Sequence, residues 1–210
     1  ELNRGIRAGV VPGLVGGWVA LLERFGTMTL RQVLEPAIEY AEEGHPLDPF
    51  VADAIARSRA LFELYPSTAA VFMPGGALPQ PGQRFTYPDL ARTFHKLLEA
   101  EETARLSGAT REVGLRAAFT RFYRGDIARE MSRFYEEHDG LFPRGDFASY
   151  EPVWTEPVHT NYRGYDVYSS PPTSRGGLEV VMQLNLVEGF DVATMGHNSP
   201  EALHVIAESI

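Results

Sequence analysis

The chain has 210 residues, of which 44% are hydrophobic and 22% are charged, as is ordinary for a globular protein. It contains no cysteine, which excludes disulfides, thiolate zinc sites and a cysteine nucleophile. Its 19 basic and 28 acidic residues give a net charge of −9, which disfavours nucleic-acid binding. The sequence has no run of about 18 apolar residues, the length that a membrane-spanning helix needs.

Apolar spacing predicts the first two helices. A glycine-rich stretch leads into an apolar helix that starts near Trp18 and ends at Gly26. Thr29 is a suitable N-cap for a second helix, which Gly44 ends and in which Pro36 predicts a kink or an early turn. The apolar positions of this second helix recur at helical spacing: Leu30, Val33, Leu34, Ala37, Ile38 and Ala41.

The helical pattern continues to residue 138 with one interruption. A third helix is expected over residues 49–64, ending before Pro66, and the prolines and glycines of residues 73–88 predict an irregular loop or hairpin. Gly108 and Gly114, which have low helix propensity, predict a less regular stretch before the helix that starts near residue 116. Further helices are predicted over residues 89–102, 116–122 and 126–137.

The sequence changes character after Gly140. Residues 151–160 favour a strand, and a turn at Arg163 and Gly164 predicts a hairpin. A loop to Gly177, a helix over 178–187 and a helix from Ser199 to Ile210 follow. The last helix has no stop signal, which suggests a piece of a longer polypeptide. We expect an α+β segment with a mostly helical part, residues 1–139, and a hairpin, loop and helix part, residues 140–210.

The loop before the helix at residue 178 is the main candidate site. Its residues Ser174, Arg175, Gly176 and Gly177 precede a helix N-terminus, where free backbone N–H groups can hold a carboxylate or an oxyanion. Alternatively, Ser174 only caps the helix and the glycines pack on the hairpin. The six histidines show no metal-binding spacing, no serine lies in a G-x-S-x-G motif, and no cofactor motif is recognised.

Several blocks of sequence follow one another in a fixed order. They include V-P-G-L-V-G-G-W at residues 11–18, L-E-P-A-I-E-Y-A-E-E-G at 34–44, F-Y-R-G-D-I-A at 122–128, Y-R-G-Y-D-V-Y at 162–168, P-P-T-S-R-G-G at 171–177 and Q-L-N-L-V-E-G-F at 183–190. Together these blocks resemble the large subunit of gamma-glutamyltranspeptidases. In the fifth block, Thr173 and Arg175 replace the proline and serine that are usual in that family.

The resemblance implies an N-terminal-nucleophile hydrolase with a four-layer αββα sandwich. Such a precursor cuts itself into a large and a small subunit. The N-terminal threonine of the small subunit then attacks a gamma-glutamyl amide, such as glutathione, and forms an acyl-enzyme that water or an amino acid resolves. The resemblance also implies a periplasmic or secreted location and no cofactor.

The resemblance places no catalytic residue in this chain. The family's nucleophile would lie beyond Ile210, and neither Arg4 nor Arg7 sits in the motif of the family's carboxylate-binding arginine. Residues 174–177 would then shape the core against the small subunit. Two alternatives remain open: a related acylase for cephalosporin, glutaryl or poly-gamma-glutamate substrates, and a catalytically inactive homologue that serves as a binding or scaffold protein.

Overall fold

The computed structural model describes residues 4–210, and the chain divides into two compact units. The first unit extends to Pro152 and the second comprises Val153–Ile210. The first unit is helical apart from one short strand pair. Its described α-helices are α1 (Leu14–Phe25), α2 (Leu30–Glu43), α3 (Pro49–Arg57), α4 (Arg59–Phe62), α5 (Pro66–Phe72), α6 (Pro88–Leu106), α7 (Arg111–Arg124), α8 (Asp126–Glu137) and α9 (Arg144–Ser149).

Helix α2 begins with the predicted cap and ends at the predicted glycine. The Thr29 hydroxyl accepts a hydrogen bond from the Gln32 backbone N–H, and the Gln32 side chain accepts one from the Thr29 N–H, which forms a capping box. The early turn expected at Pro36 is wrong, because α2 continues unbroken to Glu43. Pro36 is exposed, so water can bond the carbonyl that the missing N–H leaves free.

Helices α6 and α7 form the centre of the first unit. The prediction that Gly114 loosens this stretch is wrong, since α7 starts at Arg111 behind the Thr110 cap. A Cβ at Gly114 would lie 3.0 Å from Cγ of Arg105 and 3.3 Å from the carbonyl oxygen of Glu101. The glycine therefore lets α7 approach α6 closely. The side chains buried around this contact include Leu97, Leu98, Leu115, Ala118, Phe119 and Phe122.

Two tyrosines fasten the glycine-rich segment before α1. Tyr123 is fully buried, and its hydroxyl donates to the Pro12 carbonyl at 2.6 Å and accepts from the Gly16 N–H at 3.0 Å. The Tyr150 hydroxyl donates to the Gly13 carbonyl at 3.1 Å. A Cβ at Gly16 would lie 2.6 Å from the Tyr150 ring. The glycines thus admit the tyrosines, and α1 begins at Leu14 rather than near Trp18.

A smaller core lies under the first strand pair. Strands β1 (His45–Pro46) and β2 (Arg84–Phe85) pair antiparallel, which leaves most of the expected hairpin over residues 73–88 irregular. The expected third helix is divided at Ser58, and Pro66 starts α5 instead of only ending a helix. A proline suits the first turn, where its missing N–H has no helical partner. The buried side chains are Leu47, Ala52, Ile55, Met73 and Phe85.

The second unit consists of a hairpin and three helices. Strands β3 (Val158–Tyr162) and β4 (Tyr165–Ser169) pair antiparallel around Arg163 and Gly164, which both have positive φ, as a two-residue hairpin turn requires. The predicted hairpin is confirmed, although its first strand begins at Val158 rather than at residue 151. The helices are α10 (Arg175–Glu188), α11 (Val192–Met195) and α12 (Pro200–Glu208), the last capped by Ser199 as predicted.

Candidate functional site

The candidate site residues lie where β4 leads into α10. Ser174 is the N-cap of α10, and Arg175, Gly176 and Gly177 form its first turn. The prediction that the helix begins at residue 178 is therefore wrong by three residues. Glycine has a low helix propensity, but here the two glycines are accommodated in the first turn. We call residues 170–177 the β4–α10 turn.

Gly177 closes this turn through backbone contact. It is buried, and a Cβ added there would overlap the Ser170 carbonyl and lie 2.8 Å from the Ser170 backbone nitrogen. Only glycine allows the start of α10 to approach the end of β4 so closely. A Cβ at Gly176 would meet nothing within 4 Å. The two adjacent glycines therefore differ, because a side chain is sterically excluded at Gly177 but not at Gly176.

The Ser174 and Arg175 side chains leave the helix N-terminus uncapped. Ser174 occupies the cap position, but its hydroxyl accepts no capping hydrogen bond, which corrects the alternative that it caps the helix. Arg175 is 88% exposed, and its Nε lies 2.6 Å from Oε1 of Glu179. The first N–H groups of α10 therefore have no side-chain acceptor, and such groups can hold an anion.

Hydrogen bonds fasten α10 to the hairpin. The Thr160 hydroxyl donates to the Asn185 side chain at 2.5 Å, and the Arg163 N–H donates to the Glu188 carboxylate at 3.0 Å. The Arg163 guanidinium also donates to the Phe190 carbonyl at 2.6 Å. Sequence reasoning missed these partners. The predicted turn at Arg163 was the available sequence signal for these bonds, because a tight turn leaves a backbone N–H free to bond a side chain outside the hairpin.

Helix α10 leaves an apolar stripe exposed. Leu178, Met182 and Leu186 recur every four residues along one side, and all three are exposed. In residues 153–210, all of which the structure describes, Gly177 and Ala202 alone are buried. A helix that is apolar on more than one side is typical of a buried helix. The second unit therefore presents a surface suited to a covering partner, and we call Leu178, Met182 and Leu186 the α10 stripe.

A histidine–aspartate pair lies on the hairpin. Asp166 accepts a hydrogen bond from the Asn161 side chain at 3.2 Å, and its Oδ1 lies 3.0 Å from Nε2 of His159. Both contacts lower the pKa of Asp166, the Asn161 bond most. Across residues 4–210, however, no serine or threonine hydroxyl hydrogen-bonds to a histidine or lysine side chain. The described residues thus form no nucleophile–base pair of the usual kind.

The described residues contain neither a metal-binding cluster nor a membrane-spanning helix. No group of three or more His, Asp or Glu side chains among residues 4–210 is arranged to hold a metal ion. In the same range, no helix has both the length and the hydropathy that a bilayer span requires.

Comparisons with known proteins place these features in context. The family model described as gamma-glutamyltranspeptidase matches residues 1–210. An acylase ACY 1 proenzyme from Pseudomonas sp. (strain SE83) is 34% identical over 98% of this chain and 34% of its own length. The glutathione hydrolase-like YwrD proenzyme of Bacillus subtilis is 32% identical over 99% of this chain and 36% of its own. The chain thus spans about a third of the length of these curated relatives.

Solved structures give the same result. The gamma-glutamyltranspeptidase of Helicobacter pylori superposes with a TM-score of 0.85 at 30% identity, over 99% of this chain and 55% of that one. A cephalosporin acylase from Bacillus halodurans superposes with a TM-score of 0.82 at 28% identity, over 98% of this chain and 36% of that one. These matches confirm the expected α+β class and the N-terminal-nucleophile hydrolase fold of which this helix-rich segment is a part.

Proposed function

Because the chain belongs to the gamma-glutamyltranspeptidase family, we propose that it is part of an enzyme that cleaves gamma-glutamyl amides such as glutathione. The observation that carries this proposal is the family match over the whole chain, joined to a superposition that covers nearly every residue. The described residues supply binding and packing surfaces rather than a nucleophile–base pair, which agrees with a reaction centre completed by another segment.

In the proposed reaction, that other segment is the small subunit of a self-processed precursor. The hydroxyl of its N-terminal threonine attacks the gamma-glutamyl carbonyl, and its own amine takes the proton. The C–N bond breaks, the amine leaves with a proton, and the acyl group stays on the threonine as an ester. Water then hydrolyses this ester, or the amine of an acceptor amino acid takes the acyl group.

We propose further that the small subunit covers the α10 stripe. The support is physical: Leu178, Met182 and Leu186 form a continuous exposed apolar row on a helix that already packs on the hairpin. Burying such side chains stabilises an interface by about 25 cal/mol for each Å² removed from water. The proenzyme names of the two relatives agree with a partner that comes from the same precursor.

The β4–α10 turn has a proposed role on the substrate side of that interface. Ser174, Arg175, Gly176 and Gly177 combine an uncapped helix N-terminus with an exposed guanidinium. Both groups favour a carboxylate, and a gamma-glutamyl group carries one. The alternative role, in which these four residues only shape the core against the small subunit, predicts a loss of processing when Arg175 is replaced.

The experiment is to express the full-length protein that contains this chain and to follow its processing and activity. Mass spectrometry should find two subunits, with threonine at the start of the smaller one. Gamma-glutamyl-p-nitroanilide should be hydrolysed, and a quenched reaction should show the acyl group on that threonine. Intact, unprocessed protein with no hydrolysis of any amide would contradict the proposal and favour a binding or scaffold protein.

A related acylase is the second candidate, favoured by the match to the acylase ACY 1 proenzyme and to the cephalosporin acylase structure. Glutaryl-p-nitroanilide distinguishes the two activities, because it lacks the α-amino group of the glutamyl substrate. Hydrolysis of the glutaryl amide without the gamma-glutamyl amide would overturn the first proposal in favour of the second.

A further inference from the structure

A cleft of about 640 Å³ lies within the first unit, and none of its lining residues belongs to the β4–α10 turn. Its walls come from the segment before α1, from α4 and α5 with the residues between them, and from the end of α8. This volume falls within the range of roughly 300–1,000 Å³ that is usual for small-molecule sites. The gamma-glutamyl activity proposed above makes no use of it.

Aromatic rings with fixed positions line the cleft. Phe62 stacks on Phe72, with ring centroids 5.2 Å apart, and Tyr135 meets Phe142 edge to face at 5.3 Å. Each contact places the ring against its aromatic neighbour, so the orientations of the Phe62 and Tyr135 rings are fixed. Phe134 and Tyr65 add two more aromatic rings to a lining that also contains aliphatic side chains. Preformed aromatic walls suit a flat or bulky apolar ligand, because binding then orders few side chains.

The charge of the lining is unusual for this chain. The whole sequence carries 28 acidic residues and a net charge of −9, yet no described lining residue is acidic. The basic side chains of the lining are Arg4 and His138. His138 donates from Nδ1 to the Phe134 carbonyl at 2.8 Å, which leaves its Nε2 for another partner. Among residues 4–210, none forms an ion pair with Arg4.

We propose that this cleft binds a small organic carboxylate with an aromatic or bulky apolar body. The apolar body lies between the Phe62 and Tyr135 rings, and the carboxylate is held by the Arg4 guanidinium. An arginine–carboxylate contact is charge-assisted and geometrically specific. The absence of any described acidic side chain from the walls favours an anion over a neutral or cationic ligand of the same size.

The test measures binding of 4-phenylbutyrate to the full-length protein by isothermal titration calorimetry. The neutral amide of the same acid is the matched ligand, and Arg4→Gln is the informative variant. Arg7→Gln is its control, because Arg7 carries the same charge three residues away, donates to the Asp139 carbonyl and does not line the cleft. Arg4→Gln should weaken 4-phenylbutyrate binding about tenfold, the loss of a charge-assisted hydrogen bond. It should leave the binding of the amide unchanged, and Arg7→Gln should change neither.

A second variant locates the ligand. Ser67 lines the cleft and is exposed, so Ser67→Trp should fill the space and abolish binding of both ligands while the melting temperature stays unchanged. The proposal is overturned if 4-phenylbutyrate does not bind, if Arg7→Gln weakens it as much as Arg4→Gln, or if a folded Ser67→Trp protein still binds it. The first of these results would show that the cleft is closed or filled in the whole protein.

Discussion

The two units of the chain differ in how far their own residues bury their apolar side chains. The first unit buries a continuous core around Leu97, Leu115, Phe119 and Tyr123, all of which lie out of contact with water. In the second unit, Gly177 and Ala202 alone are buried, although the hairpin and α10 are joined by good hydrogen bonds. Hydrogen bonds thus set the geometry of the second unit, whereas apolar burial, which supplies most folding free energy, is small there; under our proposal the small subunit supplies it.

Placing a charge on the α10 stripe is the strongest test of this difference. Met182 is 54% exposed in this chain, and under our proposal it becomes buried when the subunits assemble. Met182→Glu should therefore prevent assembly and processing of the full-length protein, because an unpaired buried carboxylate costs several kcal/mol. Gel filtration and mass spectrometry of the subunits measure the outcome.

Met28 is the matched control for that substitution. It is 46% exposed and belongs to the first unit, which has its own core. Met28→Glu should leave assembly intact. Equal damage from both substitutions would remove the distinction between the units.

Inside the first unit, Glu101 provides the next largest expected effect. Its carboxylate is 2% exposed and accepts hydrogen bonds from the Leu30 and Arg31 backbone N–H groups, at 2.9 and 3.2 Å. Glu101→Ala leaves both donors at the N-terminus of α2 without an acceptor and should lower the free energy of unfolding by about 3 kcal/mol. Urea denaturation of the full-length protein measures this change.

Glu102 is the matched control, because it is the same residue type at the next position but is exposed. It forms an exposed ion pair with Arg31 at 2.9 Å, so Glu102→Ala should cost less than about 1 kcal/mol. Similar losses for the two variants would mean that the buried carboxylate does not hold α2.

The adjacent glycines of the β4–α10 turn give a test within the second unit. Gly177→Ala places a methyl group into the Ser170 backbone and should destabilise the full-length protein by about 2–3 kcal/mol. Gly176→Ala meets open space and should stabilise it by roughly 0.4–1 kcal/mol, because alanine restricts the unfolded chain. Opposite shifts in thermal unfolding are expected, and equal shifts would contradict the close contact at Gly177.

These glycines also show how far the sequence could predict the structure. The spacing of apolar residues was enough for α2 with its Thr29 cap, for α8 and for the hairpin at Arg163, since these depend on neighbours in sequence. Gly114 was wrongly predicted to loosen its stretch, because its role depends on Glu101 and Arg105, which approach it only in the folded chain. For Gly177, the alternative that the glycines pack on the hairpin agrees with its contact with the Ser170 backbone, whereas Gly176 makes no such contact. For the candidate site, the sequence indicated a turn followed by a helix, but not that α10 already starts at Arg175.

A smaller effect is expected at Tyr123, and it depends on pH. Burial raises the pKa of Tyr123 from its ordinary value of 10.0 to about 12. The folded state thus favours the neutral phenol, and the stability that this preference contributes is complete below pH 10 and is lost as the pH rises toward 12. Unfolding curves between these limits should show this decline.

Tyr123→Phe should remove that part of the alkaline decline. At neutral pH it should cost about 1–2 kcal/mol, because the Pro12 carbonyl and the Gly16 N–H lose their partner. The exposed Tyr40 supplies the control for the cost at neutral pH, since Tyr40→Phe removes no buried hydrogen bond of the side chain and should change the free energy of unfolding little. An unaltered decline in the Tyr123→Phe protein would contradict the assignment.

The smallest effect on stability is expected at Arg175, whose role separates the two readings of the β4–α10 turn. The side chain is 88% exposed and pairs only with the partly exposed Glu179 among its described contacts, so Arg175→Ala should change the free energy of unfolding by less than about 1 kcal/mol. If the guanidinium faces the substrate carboxylate, KM for gamma-glutamyl-p-nitroanilide rises while processing and kcat stay close to those of the parent protein. Glu179→Ala, which frees the guanidinium, should not raise KM. Loss of processing in Arg175→Ala, with no separate effect on KM, would instead assign the turn to the packing of the small subunit.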